Sequence, residues 1–91
     1  MRDGADLPGA ELIAAGLADL GNQAETDESL LVSMAASRLR ALGFDVPAPF
    51  VDPELRLYSR LAARHGAAAH SRYNALVRRL VSFQRAAACA R

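Results

Sequence analysis

The residues best suited to chemistry stand together at positions 64–74, reading Arg-His-Gly-Ala-Ala-Ala-His-Ser-Arg-Tyr-Asn. His70 lies four positions before Asn74 and three before Tyr73, so a helix would make these three side chains neighbours on one face. Arg64, His65, His70, Arg72, Tyr73 and Asn74 thus form a candidate polar cluster at a helix–helix corner. Two roles suit it. As a structural cluster it caps one helix and fixes the corner, with protonated His65 complementing a helix C-terminus. As a site it offers His70 as acid or base, Arg64 or Arg72 to hold a phosphate, and Tyr73 to orient the bound group.

Other chemistry is poorly represented. The chain has no phosphate-binding glycine loop, no Gly-x-Gly-x-x-Gly, no Gly-x-Ser-x-Gly and no His-Glu-x-x-His. His65, His70 and Cys89 are its only soft ligands, and their spacing fits no usual metal set, so neither a metal nor a cofactor is expected. The carboxylate pairs Asp27 with Glu28 and Asp52 with Glu54 fall where helices begin, so capping explains them better than catalysis.

Arg64-His65, four intervening residues and then His70 resemble the Arg–polar–x(4–6)–His motif of HEPN-domain ribonucleases. The resemblance spans seven residues. It implies a helical bundle, usually dimeric, in which Arg64 and His70 meet at a cleft between protomers and cleave RNA without metal, with His65 in the polar position. Such proteins are often toxins paired with an antitoxin.

Charge is distributed unevenly along the 91 residues. All eleven basic residues are Arg, which with twenty Ala points to a GC-rich genome more than to a function. Residues 1–54 carry ten acids and three Arg, a net −7, whereas residues 55–91 carry eight Arg and no acid, a net +8. Either the halves neutralise one another within the fold or in a dimer, or the basic half offers Arg72, Arg78, Arg79 and Arg85 to an anionic partner such as nucleic acid. The two aromatic residues among them, Tyr73 and Phe83, fall in the apolar arc of their helix, so none is available beside these Arg to stack bases.

The elements that must position these groups are helical. Ala and Leu account for 33 residues, while β-branched residues are few, with one Ile (Ile13) and one Thr (Thr26). A single domain over 1–91 is expected: an all-α, up-down bundle of four helices, the first short, with a Pro-rich link between helices 2 and 3. The first helix runs from about Pro8 to Leu20, with Gly21 in the left-handed position after it. The second runs from about Asp27 to Leu42, capped by Thr26 and closed by Gly43. The link 44–51 contains two prolines, and Phe44, Val46, Phe50 and Val51 can cover one end of the core. Helix 3 starts with Asp52 as N-cap and Pro53 in its first turn, and ends near His65 before Gly66; Leu55, Tyr58, Leu61, Ala62 and His65 line one face. Helix 4 extends from about Ala67 to Ala90 with an apolar arc roughly 160° wide, from Phe83 and Leu76 through Leu80 and Tyr73 to His70 and Val81.

That arc is wider than a surface helix needs, so part of it can face another chain. The expected function is accordingly a small non-catalytic interaction or regulatory module, antitoxin-like or accessory. It would act as a homodimer or within a protein hetero-complex. The HEPN-like ribonuclease and the nucleic-acid binder are its alternatives. One cysteine, an opening MRDGADLPG without leader character and no long apolar run lead to the expectation of a cytoplasmic protein without a membrane partner.

Overall fold

The computed structural model describes residues 7–90. They form a helical bundle: α1 (Ala10–Gly21), α2 (Asp27–Met34), α3 (Ala36–Ala41), α4 (Pro53–His65) and α5 (Ala69–Ala90), with a one-turn 3-10 segment, Gly66–Ala68, joining α4 to α5. No strand occurs among the described residues. The all-α reading therefore holds, with the expected second helix broken into α2 and α3.

The break has a local cause. The Ser33 hydroxyl donates to the Ser29 carbonyl across 2.8 Å, competing with the backbone for that acceptor, a contact that commonly bends helices. Ala35 leaves helical geometry at φ −104° and ψ 15°, and its N–H is shared between the carbonyls of Leu31 and Val32. The same Ser33 oxygen accepts from the Phe50 N–H at 3.0 Å, so the bend also fastens the Pro-rich link to α2. Arg40 holds the link from its other side through the carbonyls of Val46 (2.9 Å) and Pro47 (3.2 Å).

Short and central, α2 packs against α1, α4 and α5. Five consecutive residues, Ser29 to Ser33, are buried. A helix enclosed on all sides has no polar face to display, so its two buried serines must satisfy their hydroxyls internally. They do so through Thr26, Ser29 and Phe50, and no buried side-chain polar atom among the described residues lacks a partner. Around α2, Ile13, Leu39, Leu57, Leu61 and Phe83 complete a largely aliphatic core, each contributing roughly 1.5–3 kcal/mol by burial.

Gly16 brings α1 against α2. A Cβ at this position would run into the Glu28 carbonyl oxygen and the Val32 side chain, so only glycine lets the two backbones approach so closely. Gly43 ends α3 at φ +102°, with Phe44 N–H bonding the Leu39 carbonyl and Gly43 N–H the Arg40 carbonyl, a Schellman closure. Phe44 then packs on Phe83 of α5 with ring centroids 5.5 Å apart.

Several boundaries and faces differ from expectation. Pro8 precedes α1, which begins at Ala10 after Gly9. Gly21 is the last helical residue of α1, and Gln23 takes the left-handed conformation (φ 58°) in its place. Asp52 makes no capping hydrogen bond. It is itself left-handed at φ 49°, a conformation Asp tolerates, while Pro53 opens α4 as expected. Val51 covers nothing, being 68% exposed.

The largest correction concerns α4. Its buried residues are Leu57 and Leu61; Leu55 (71% exposed), Tyr58 and Ala62 face outward, and His65 is half-buried. The helix is rotated from its most apolar face because Arg56, Arg60 and Arg64, spaced one turn apart, must reach acids at the start of α2.

Gly16→Ala should destabilise the fold by about 2 kcal/mol, lowering Tm by roughly 8–16 °C, since the new methyl meets the Glu28 backbone as well as the stiff Val32 side chain. Thermal unfolding followed by circular dichroism checks this; an unchanged Tm would mean that the α1–α2 approach is looser than described.

Candidate functional site

The corner between α2, α4 and α5 is built outward from Thr26. Its hydroxyl accepts the Ser29 N–H at 3.0 Å while Ser29 Oγ accepts the Thr26 N–H at 2.8 Å, a reciprocal capping box. The Thr26 hydroxyl also donates to Asp19 Oδ2 at 2.8 Å, tying the start of α2 to the end of α1. Asp27, the first residue of α2, is thereby held facing α4. Arg60 donates through Nε to Asp27 Oδ1 at 3.1 Å, and Arg64 donates to Oδ2 of the same carboxylate. Glu25 takes Arg56 at 3.0 Å and the far end of Arg60 at 4.0 Å. The acidic and basic halves of the chain thus meet within the fold.

Burial by itself would push the Asp27 carboxyl upward. Hydrogen bonds from Arg64 and Arg60, and the charge of both, outweigh it and hold the group below its ordinary value of 3.8. The Arg64 guanidinium is consequently engaged.

Beside this pair lies a cleft of about 340 Å³ between α4 and α5, lined by Asp27, Arg64, His65, Arg72 and Arg79, with Leu61, Ala75 and Leu76 as apolar wall. Arg79 reaches Glu11 of α1 at 3.5 Å, a pair open to solvent. The exposed Arg72 guanidinium has no hydrogen-bonding or ion-pair partner among the described residues.

The remaining members of the 64–74 cluster stand elsewhere. His70 and Arg72 are two positions apart, so they leave α5 on nearly opposite sides. His70 is exposed, and its Nε2 lies 3.2 Å from Asn74 Nδ2. Tyr73 packs against Tyr58 of α4 with ring centroids 5.7 Å apart, and burial together with the nearby Glu54 charge pushes its hydroxyl pKa upward. The run therefore divides into Arg64, His65 and Arg72 on the cleft, and His70, Tyr73 and Asn74 away from it. Arg64 and His70 are not brought to one cleft within the chain.

The four Arg of the last helix also disperse. Arg72 and Arg79 line the cleft, Arg78 stands with Arg79 beside Pro8 and Gly9, and Arg85 shares a separate groove with Arg38, Leu42 and Val81. Among the described residues, no group of three or more His, Cys, Asp or Glu is placed to hold a metal ion, and no helix is long and apolar enough to cross a membrane.

The ladder of Arg56, Arg60 and Arg64 was the feature that local reading missed. Its four-residue spacing was visible; its partners, more than thirty residues away, were not. The chain matches no protein-family model, no curated protein and no solved structure, so any reading of its function rests on these side chains.

Asp27→Asn should lower stability at pH 7 by about 1 kcal/mol, or roughly 4–8 °C in Tm. Because the folded-state pKa is depressed, this contribution is present above the unfolded value and is lost as pH falls through the folded one. The Tm values of variant and parent should therefore converge near pH 2; a gap that persists there would show that the carboxylate charge is not the cause.

Proposed function

We propose that this chain is a non-catalytic helical module that associates with a second protein chain, either a copy of itself or a larger partner to which it is an accessory subunit. The supporting observation is the incomplete cover over α5. Ala69, Leu80, Phe83 and Ala87 are buried, whereas Val77 and Val81, on the same apolar arc, remain partly open beside the Tyr58–Tyr73 pair. On α4, Tyr58 joins this strip through its ring contact with Tyr73. An apolar strip spanning two helices is the kind of surface that protein interfaces bury at their centres.

The disposition of the polar groups favours binding over catalysis. Arg64 is committed to Asp27, and His70 pairs with its helical neighbour Asn74 away from the cleft. The lone exposed Cys89 is compatible with a reducing, cytoplasmic setting.

Native mass spectrometry of gently purified protein should show the mass of at least one further polypeptide, retained at about 1 M salt, where charge pairing is screened. Val77→Glu combined with Val81→Glu should release it while circular dichroism stays helical. A single-chain mass under all conditions would overturn the proposal. So would metal-independent RNA cleavage that His70→Ala abolishes.

A further inference from the structure

The cleft between α4 and α5 combines features that the association face does not explain. Three guanidinium groups, Arg64, Arg72 and Arg79, converge on one concavity. Asp27 on its wall and Glu11, the partner of Arg79, are two carboxylates against four cations once Arg60, which also pairs with Asp27, is counted. The division is unequal. Asp27 takes Arg64 and Arg60 in a partly buried pair, Glu11 takes Arg79 in an open one, and nothing among the described residues takes Arg72. His65, half-buried at the last turn of α4, adds a ring nitrogen that can donate.

We infer that this cleft binds a phosphomonoester, with Arg72 as principal ligand and Arg79 and His65 assisting. A phosphate presents several acceptor oxygens, and a guanidinium fork matches two of them at once. The entering anion takes Arg72 without displacing anything, and takes Arg79 in exchange for a solvent-screened pair with Glu11, the weaker kind of ion pair. Arg64 remains with Asp27 and supplies field instead of contact. Leu61, Ala75 and Leu76 offer an apolar wall to the organic part of the ligand. A volume of about 340 Å³ lies at the small end of ligand sites, a size that suits a mononucleotide or one phosphorylated chain end. The same chemistry could reach the protein as a free nucleotide or as the 5′-phosphate of an oligonucleotide.

The site is separate from the Tyr58–Val81 face, so its test does not depend on association. Titration of the full chain with AMP, followed by amide and Arg side-chain NMR, should give saturable shifts centred on His65, Arg72 and Arg79; adenosine should give none. Arg72→Gln should weaken AMP binding about tenfold, the loss of one charge-assisted contact. Arg85→Gln removes the same charge from another surface and should leave affinity unchanged. Both side chains are exposed, so circular dichroism should report an intact fold for each.

A tetranucleotide with a 5′-phosphate that binds more tightly than AMP would assign the source as a nucleic-acid end; equal or weaker binding would assign it as a free nucleotide. The inference is overturned if AMP produces no saturable shift, if adenosine binds as well as AMP, if 5′-hydroxyl and 5′-phosphate tetranucleotides bind equally, or if the two Arg variants weaken binding to the same extent.

Discussion

The carboxylate of Asp27 sets the geometry of this molecule. It stands at the first residue of α2, held there by the Thr26–Ser29 capping box and by the Thr26 link to Asp19. Two successive turns of α4 reach it, through Arg60 and Arg64. Partly exposed ion pairs of this kind contribute modestly to stability, roughly 0.2–1 kcal/mol each. Their larger consequence here is orientational. A helix with apolar residues around much of its girth can settle in more than one rotation, and three Arg at one-turn spacing select one. That rotation sends Leu57 and Leu61 into the core and turns Leu55 and Tyr58 outward. Both surfaces with functional promise, the apolar strip on one flank of α5 and the basic cleft on the other, follow from it.

Beneath this arrangement lies the enclosure of α2. Eight residues long, it could not persist alone in water. It is stabilised by being surrounded, and its serines make that tolerable by bonding inward. Gly16 permits α1 to close over it, and Ser33 anchors the Pro-rich link as well as bending the chain into α3. The core is therefore specified by small residues as much as by large ones, consistent with a chain rich in Ala and poor in aromatics.

Features encoded over a few residues were legible in the sequence: Thr26 as N-cap, Gly43 as helix stop, Pro53 as helix start, and the buried stripe of Ala69, Leu80, Phe83 and Ala87 along α5. What escaped depended on partners distant in the chain. Apolar spacing alone favoured Leu55, Tyr58 and Ala62 as the inner face of α4, because periodicity gives no weight to an ion pair with Asp27. The bend at Ala35 depends on a serine hydroxyl whose alternative acceptor cannot be recognised from spacing. The 64–74 run looked like one cluster because its polar residues are adjacent in sequence; the 3-10 turn and the helical twist of α5 send them to two surfaces.

The rotation of α4 is the claim on which the rest stands, and thiol accessibility measures it directly. In a Cys89→Ser background, which removes the one exposed native thiol, Leu55→Cys and Leu57→Cys would be tested separately with a small alkylating reagent under native conditions. With α4 rotated as described, position 55 labels rapidly and position 57 stays protected until the protein unfolds. Protection at 55 with free labelling at 57 would contradict this rotation, and would place the apolar face of α4 where periodicity alone had put it.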